Sequence, residues 1–342
     1  MGESPNPFSH GHDETANIAW CTSSIQHMFI YLAYWSLESG SPLHCIYNHI
    51  ISGTCAMEGT SSQSLIMLLL IFDMDVSTLG DDAAAQILMF GGNGFIGSST
   101  AYRLIEKQAH VTLVARGNWY WDSETRILPH VNFIKCNRDS DIMSTCSDLV
   151  SYVQEHKNFD MVIDFTAYKA HHAQQTLSLL QSCNIGLYIQ ISSVGVYDLC
   201  VKKSRRKVLE DDANCEEFTT NHEKHYLHYI LGKMEAERVM KKQNNSENNH
   251  IPFVILRLGT VIGPRDTTYR QWFLQFWVRL EAIIKERPIA IPEKLINKKL
   301  QFLYSEDVSD LIVSLLSSGQ QIHNQVFHLA YPETHTVQDM VT

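Results

Sequence analysis

The sequence predicts an α/β fold, a doubly wound parallel sheet covered by helices on both faces. Three observations predict it. From residue 86 onward, short apolar runs rich in β-branched residues alternate with helical segments. Those runs are apolar along their whole length, as strands buried on both faces must be. The first run ends in a glycine-spaced turn, G-x-x-G-x-x-G, and a helix follows it. The chain has 342 residues, 44% hydrophobic and 19% charged, which is enough to bury a real core. Disorder throughout and a disulfide-stapled miniprotein are both excluded on those grounds.

The elements follow in order. Ile87-Leu88-Met89-Phe90 is the first strand, and Ser98 to Gln108 reads as a helix. Val111 to Ala115 is the second strand and Val131 to Ile134 the third, with a helix over roughly Asp141–His156. Met161 to Phe165 is the fourth strand, residues 169–183 a helix, and Leu187 to Ile191 the fifth strand. Helix 226–242, strand Phe253 to Leu256 and helix 270–286 continue the series.

The first 85 residues read differently. No Lys or Arg precedes Arg103, and residues 1–85 hold nine acids, so most of the net charge of −10 lies there. Its two apolar runs, Met28 to Trp35 and Leu65 to Phe72, are eight residues each. A spanning helix needs about 20. A signal peptide needs a basic start and an interfacial helix usually carries cations, and neither is found here. The expectation is a poorly structured N-terminal extension over 1–85, no membrane contact, and one domain over 86–342. The acidic balance disfavours nucleic acid as main partner. Eight cysteines, at 21, 45, 55, 136, 146, 183, 200 and 215, form no C-x-x-C pair. Scattered single cysteines fit a reducing compartment, so a cytoplasmic location is expected. Asn244-Asn245-Ser246 fits a glycosylation acceptor, a triplet that arises often by chance.

The chemistry-bearing residues cluster after the strands. In Gly91-Gly92-Asn93-Gly94-Phe95-Ile96-Gly97 the glycines let the chain turn sharply and approach a pyrophosphate. The helix N-terminus then offers unpaired N–H groups to the phosphates. The second strand ends Val114-Ala115-Arg116-Gly117, with no carboxylate to hold a ribose 2′-hydroxyl. An Arg there suits the 2′-phosphate of NADP, so NADP is expected ahead of NAD. Tyr229 and Lys233 stand four apart on a predicted helix, hence on one face. A nearby ammonium favours the phenolate, which fits the Tyr for proton exchange. The fifth strand ends in Ser192-Ser193, at the edge where open α/β sheets bind ligands.

Glycine loop, Ser, then Tyr-x-x-x-Lys, in that order, resembles the short-chain dehydrogenase/reductase superfamily. More narrowly, the chain is similar to its extended NAD-dependent epimerase/dehydratase branch, over about residues 86–342. Val196-Tyr197, Arg257-Leu258-Gly259, Gly263-Pro264-Arg265-Asp266, Gln301 to Val308 and Val326 to Ala330 carry the resemblance further. It implies a Rossmann NAD(P)-binding domain, with substrate-binding segments from about residue 259 onward forming a small, truncated C-terminal region. It also implies an oxidoreductase of epimerase, dehydratase or reductase type, acting on a hydroxyl or carbonyl group, commonly of a nucleotide sugar. The resemblance assigns Ser193 to the substrate oxygen, Tyr229 to acid/base work, and Lys233 to lowering the Tyr pKa and contacting the nicotinamide ribose. It assigns Gly91, Asn93, Gly94, Phe95, Ile96, Gly97, Arg116, Ala167, Tyr229 and Lys233 to the cofactor. A helix-paired homodimer is implied as well.

The chain departs from the branch in two places. Relatives carry His-Leu-Ala-Ala after the fourth strand, where this chain has Asp164-Phe165-Thr166-Ala167. Relatives carry Gly-Asp after the third strand, with the Asp reaching the adenine, where this chain has Cys136-Asn137-Arg138-Asp139. These departures, with the Arg116 resemblance to atypical members that bind RNA, favour a second reading: a non-catalytic NADP(H)-binding regulatory, RNA- or protein-binding module. The basic insert Lys202 to Lys207 reads as a solvated loop, with a phosphate-bearing substrate as the sharper alternative. Glu210-Asp211-Asp212 reads as a solvent-facing turn. His171 and His172 are adjacent and point different ways on a helix, so no metal site is expected. Trp272, Phe273, Phe276 and Trp277 recur at helical spacing and read as packing residues.

Overall fold

The computed structural model describes residues 84–200, 208–215, 218–219, 222–243, 250–269, 293–297 and 299–331, and individual positions between 272 and 279 and after 333. The expected N-terminal extension and the basic insert at 202–207 lie outside the described residues. Seven parallel strands form the central sheet: β1 (Gln86–Phe90), β2 (His110–Ala115), β3 (Asn132–Lys135), β4 (Asn158–Asp164), β5 (Asn184–Ser193), β6 (Phe253–Leu258) and β10 (Gln325–Leu329). Their order is β10-β6-β5-β4-β1-β2-β3. The winding direction reverses between β1 and β4, and that reversal opens the crevice where such sheets bind ligands. Two small pairs stand apart: β7 (Thr260–Ile262) on β9 (Phe302–Tyr304), and β8 (Lys299–Leu300) on β11 (His335–Thr336).

Alternate residues of each strand feed two cores. Ile87, Met89, Leu113, Ile163 and Ile189 face Leu104 of α1 (Phe95–Glu106) and Ile312 of α5 (Ser305–Ser314). Leu88, Phe90, Val162, Tyr188 and Phe253 face Val153 of α2 (Ser147–Glu155), Leu180 of α3 (Ala170–Leu180) and Met240 of α4 (Lys224–Lys242). Burying each such aliphatic side chain contributes about 1.5–3 kcal/mol, so the sheet is held by both layers. Polar ties join α1 to α5: Ser99 Oγ donates to Glu306 at 2.6 Å, and Arg103 pairs with Glu306 and Asp310.

Several boundaries differ from the expectation for physical reasons. The first helix begins at Phe95, not Ser98, because Gly94 already serves as its N-cap. The expected helix 141–156 is broken at Cys146, whose backbone leaves the helical region (φ −121°, ψ 60°) between a four-residue turn and α2. Cys146 is disulfide-bonded to Cys136, just past β3, and Cys200 is bonded to Cys215. The expectation of single, unpaired cysteines is thus corrected for four of the eight, and Cys183 is free. Spacings of 10 and 15 residues carried no motif, and the folded backbone brings each pair together. The acidic run is not simply solvated, because Glu210 accepts from Arg257 through its carbonyl at 2.6 Å and from His328 N–H through its carboxylate at 3.3 Å. Of the aromatic stripe, Phe273 and Phe276 are exposed, with Phe276 stacked on Trp272 at 5.3 Å between ring centres, and Trp277 lies outside the described residues. No described helix is long and apolar enough to cross a membrane.

Candidate active site

The glycine loop bridges β1 and α1 at the crevice. Gly91 has φ +79°, and a Cβ there would collide with Thr166. A Cβ on Gly97 would collide with the Gly91 carbonyl and lie 2.8 Å from Gly92 Cα. Gly94 N–H donates to the Gly91 carbonyl at 3.1 Å, and Ser98 N–H to the Gly94 carbonyl at 2.8 Å. That closes the turn and leaves the first N–H groups of α1 without intrahelical acceptors, aimed out of the helix end. Asn93 is buried and its Nδ2 donates to the Asn118 carbonyl at 2.5 Å, holding the loop to the segment after β2. Arg116 is exposed at the carboxyl end of β2.

Lys233 is the centre of the opposite wall. It is almost fully buried (2% exposed), and its Nζ donates to the Ile191 carbonyl at 2.7 Å. The ammonium also lies 4.4 Å from the ring centre of Tyr168, a cation–π contact. Burial lowers its pKa to about 8, with the charge of Asp164 opposing the shift. Tyr229 remains exposed, its ring centre 6.2 Å from that of Tyr168. Tyr168 therefore touches both members of the Tyr-x-x-x-Lys pair. The turn carrying it packs directly on α4, because any Cβ on Gly232 would collide with the Tyr168 carbonyl.

Ser193 is partly buried, and its Oγ accepts from Gly195 N–H at 3.1 Å. A methyl on Gly195 would lie 2.9 Å from Tyr226 Oη and 3.3 Å from Ser193 Oγ, so this glycine is where the serine and the start of α4 approach. Tyr226 Oη donates to Asp198 at 2.7 Å, and burial together with that carboxylate raises the pKa of the phenol. Tyr226 is thus held protonated, one turn before Tyr229.

Two buried ion pairs flank Lys233. Glu237, one turn further along α4, takes a bidentate pair from Arg257 of β6 (Nε–Oε1 3.0 Å, Nη2–Oε2 2.6 Å) and accepts from Ser192 Oγ at 2.5 Å. Burial works to raise the Glu237 pKa, but Arg257 holds it below its ordinary value. Arg257 also donates to Tyr197 Oη at 3.0 Å. On the other side Arg138 Nη1 donates to Asp164 Oδ1 at 2.6 Å and to Thr166 Oγ1 at 2.9 Å. Its Nη2 reaches the His172 carbonyl at 2.9 Å and Thr176 Oγ1 at 2.7 Å. Asp164 further accepts from Tyr188 Oη at 2.8 Å and Thr166 N–H at 2.8 Å. Burial pushes the Asp164 pKa up, and Arg138 overrides it, so the carboxyl stays below its ordinary range.

The expected residues thus sit along one edge of the sheet: the glycine loop and Arg116 on one side of the crevice, Ser193, Tyr229 and Lys233 on the other. Ala167 lies at that edge too, but it is fully buried among the residues that cover α3 and α4. Sequence reasoning missed Tyr168, Tyr226, Glu237 and the Arg138–Asp164 pair. Tyr226 and Glu237 were findable, being one turn either side of the Tyr–Lys pair on the same helix.

Residues 87–330 match the NAD dependent epimerase/dehydratase family. The chain belongs to that family. It is therefore a nicotinamide-dependent oxidoreductase or epimerase/dehydratase, and the resemblance read from its motifs holds. No curated protein matches the sequence. Among solved structures, an epimerase from Methanothermobacter thermautotrophicus superposes with a TM-score of 0.58 at 16% identity, covering 82% of this chain and 79% of the other. The UDP-glucuronic acid 4-epimerase of Bacillus cereus, solved with UDP-glucuronic acid and NAD, gives 0.54 at 22% identity, covering 74% and 80%. The UDP-glucose 4-epimerase of Thermus thermophilus, solved with NAD, gives 0.55 at 16% identity, covering 75% and 81%. At these identities the likeness is one of fold. The glycine cradle, which admits no side chain at Gly91 or Gly97, fits a dinucleotide in this family member.

Proposed function

We propose that this family member acts on a hydroxyl or carbonyl carbon of a nucleotide sugar or related small molecule, with Tyr229, Lys233 and Ser193 as its working groups. The observation that carries the reading is the buried Lys233 ammonium beside the exposed Tyr229, one helical turn apart at the carboxyl edge of β5. The N–H groups at the start of α1 would hold the pyrophosphate of the cofactor, with Gly94 leaving the phosphates room. The nicotinamide, when bound, supplies the acceptor and donor of hydride. Tyr229 would take the hydroxyl proton as the carbonyl forms and return it as the carbonyl is reduced. Lys233, fixed by the Ile191 carbonyl, places positive charge near that phenol and favours the phenolate. Ser193 would hold the substrate oxygen by a hydrogen bond.

The cofactor is NADP in the first instance and NAD in the second. Arg116 and the lack of a carboxylate after β2 support NADP. The NAD in the solved epimerases supports the alternative. A helix-paired homodimer follows from the resemblance. The cytoplasmic location expected from single cysteines loses that support, because paired cysteines are typical of oxidising compartments and not of reducing ones.

The test is calorimetric titration with NADPH and with NADH, then turnover of nucleotide sugars by the preferred form. NADPH should bind more tightly, and Arg116→Ala should remove the preference. Tyr229→Phe should lower turnover by at least about 100-fold while leaving cofactor affinity nearly intact. Failure of both cofactors to bind the folded chain would sink the reading, and full activity in Tyr229→Phe would sink the roles.

A further inference from the structure

We propose that Asp139, His171 and His172 form a binding site for a divalent transition-metal cation of the zinc class, at the carboxyl edge of β3 and β4. Their ligand atoms lie within 4.8 Å of one another. Asp139 follows β3, and the two histidines occupy the first turn of α3. Although adjacent residues diverge along a helix, these rings meet edge-on with centres 4.3 Å apart.

The second observation is the state of the ring nitrogens. Nε2 of His171 is buried with no hydrogen-bond partner, and Nε2 of His172, on a residue only 3% exposed, faces the Asp139 carboxylate. A buried ring nitrogen with no partner is costly, so a ligand that accepts its lone pair is favoured there. Nδ1 of His172 lies 3.1 Å from the Thr166 carbonyl. The Tyr168 N–H also reaches Nδ1, at 3.2 Å, so without a metal the ring can carry its proton on Nε2 and donate it to Asp139. A metal on Nε2 takes the other tautomer, in which Nδ1–H donates to the Thr166 carbonyl. A carbonyl on the far ring nitrogen is the usual support of a metal-binding imidazole. His172 Nε2 and Asp139 Oδ1 are 3.3 Å apart. That is close to the edge of a tetrahedron whose metal–ligand bonds are about 2.0–2.1 Å.

Two nitrogens and one carboxylate oxygen suit zinc, cobalt or nickel, whereas magnesium and calcium want oxygen alone. Asp139 is half exposed, which gives the ion an entry path. One cation is already drawn to this corner: Lys169 Nζ lies 3.0 Å from the same Oδ1, on a side chain 56% exposed that is free to swing away. Arg138 stands nearby, but its charge is taken up by Asp164. A bound metal would tie the segment after β3 to the start of α3. It would also fix His172 against Thr166, in the turn that presents Tyr168 to Lys233.

The test uses the full chain, stripped of metal and titrated with cobalt(II), then challenged with zinc. One equivalent of cobalt should give the intense visible absorption of a four-coordinate ion, and zinc should displace it. Asp139→Asn and His171→Gln change exposed or half-buried groups, and both should weaken binding by about tenfold or more, with circular dichroism confirming the fold. Lys169→Ala removes the competing ammonium and should tighten it. Absence of the absorption overturns the proposal, as does native affinity in either ligand variant or unchanged affinity in Lys169→Ala. None of these outcomes depends on cofactor binding or turnover.

Discussion

The two ion pairs on either side of Lys233 are built differently. Arg257 and Glu237 meet fork to fork, both almost wholly buried, and each satisfies most of the other's charge. Arg138 gives only one bond to Asp164 and spreads the rest over Thr166, Thr176 and the His172 carbonyl, while Asp164 leans on Tyr188 and Thr166. The first pair is concentrated, the second distributed. A concentrated pair fails when either member goes, whereas a distributed one keeps partial partners.

The sharpest way to break that comparison is Arg257→Met. It leaves Glu237 buried with only Ser192 and the half-buried Lys241 near it, and should cost about 3–5 kcal/mol in denaturant unfolding. Arg138→Met leaves Asp164 its bonds from Tyr188 and Thr166, so the loss should be smaller, about 2–3 kcal/mol. Equal losses would show that the distributed partners contribute nothing.

The smallest effect concerns Lys233 itself and has a definite pH dependence. In the cofactor-free protein its pKa is about 8, below the ordinary 10.5, because burial disfavours the ammonium. The unfolded chain therefore binds more protons between those values, and the contribution of this group to stability rises as pH climbs from about 8 to 10.5. Lys233→Met removes that penalty but also loses the bond to Ile191 and the contact with Tyr168. A net gain of about 1–2 kcal/mol is expected at pH 7, and it should shrink as pH climbs above about 8 and turn into a net loss near pH 10.5, in thermal unfolding of the two proteins. A gain independent of pH would place the penalty elsewhere.

The sheet was legible because its evidence is local. Runs such as Ile87 to Phe90 and Phe253 to Leu256 announce buried strands by themselves, and the glycine spacing names its own turn. The Tyr229–Lys233 pair was legible because helical periodicity puts it on one face. What escaped was non-local. Arg138 and Asp164 each appeared only as a departure from the family pattern, 26 residues apart, and they turn out to be each other's partner. One unusual residue at the end of β3 is matched by a complementary one at the end of β4. Cys136 and Cys146 escaped for the same reason, since pairing depends on where the backbone turns between them. Tyr168 carried no signal at all, because a tyrosine after a strand belongs to no motif until the loop folds onto Lys233.

The Cys200–Cys215 bond has one consequence for handling the protein. The six basic-rich positions from Lys202 to Lys207 fall inside the covalent ring that it closes. A protease that cuts once between those positions opens the ring without dividing the molecule. In denaturant the nicked chain stays one covalent molecule until a reductant is added, and only then separates into an N-terminal piece bearing Ser193 and a C-terminal piece bearing Tyr229 and Lys233.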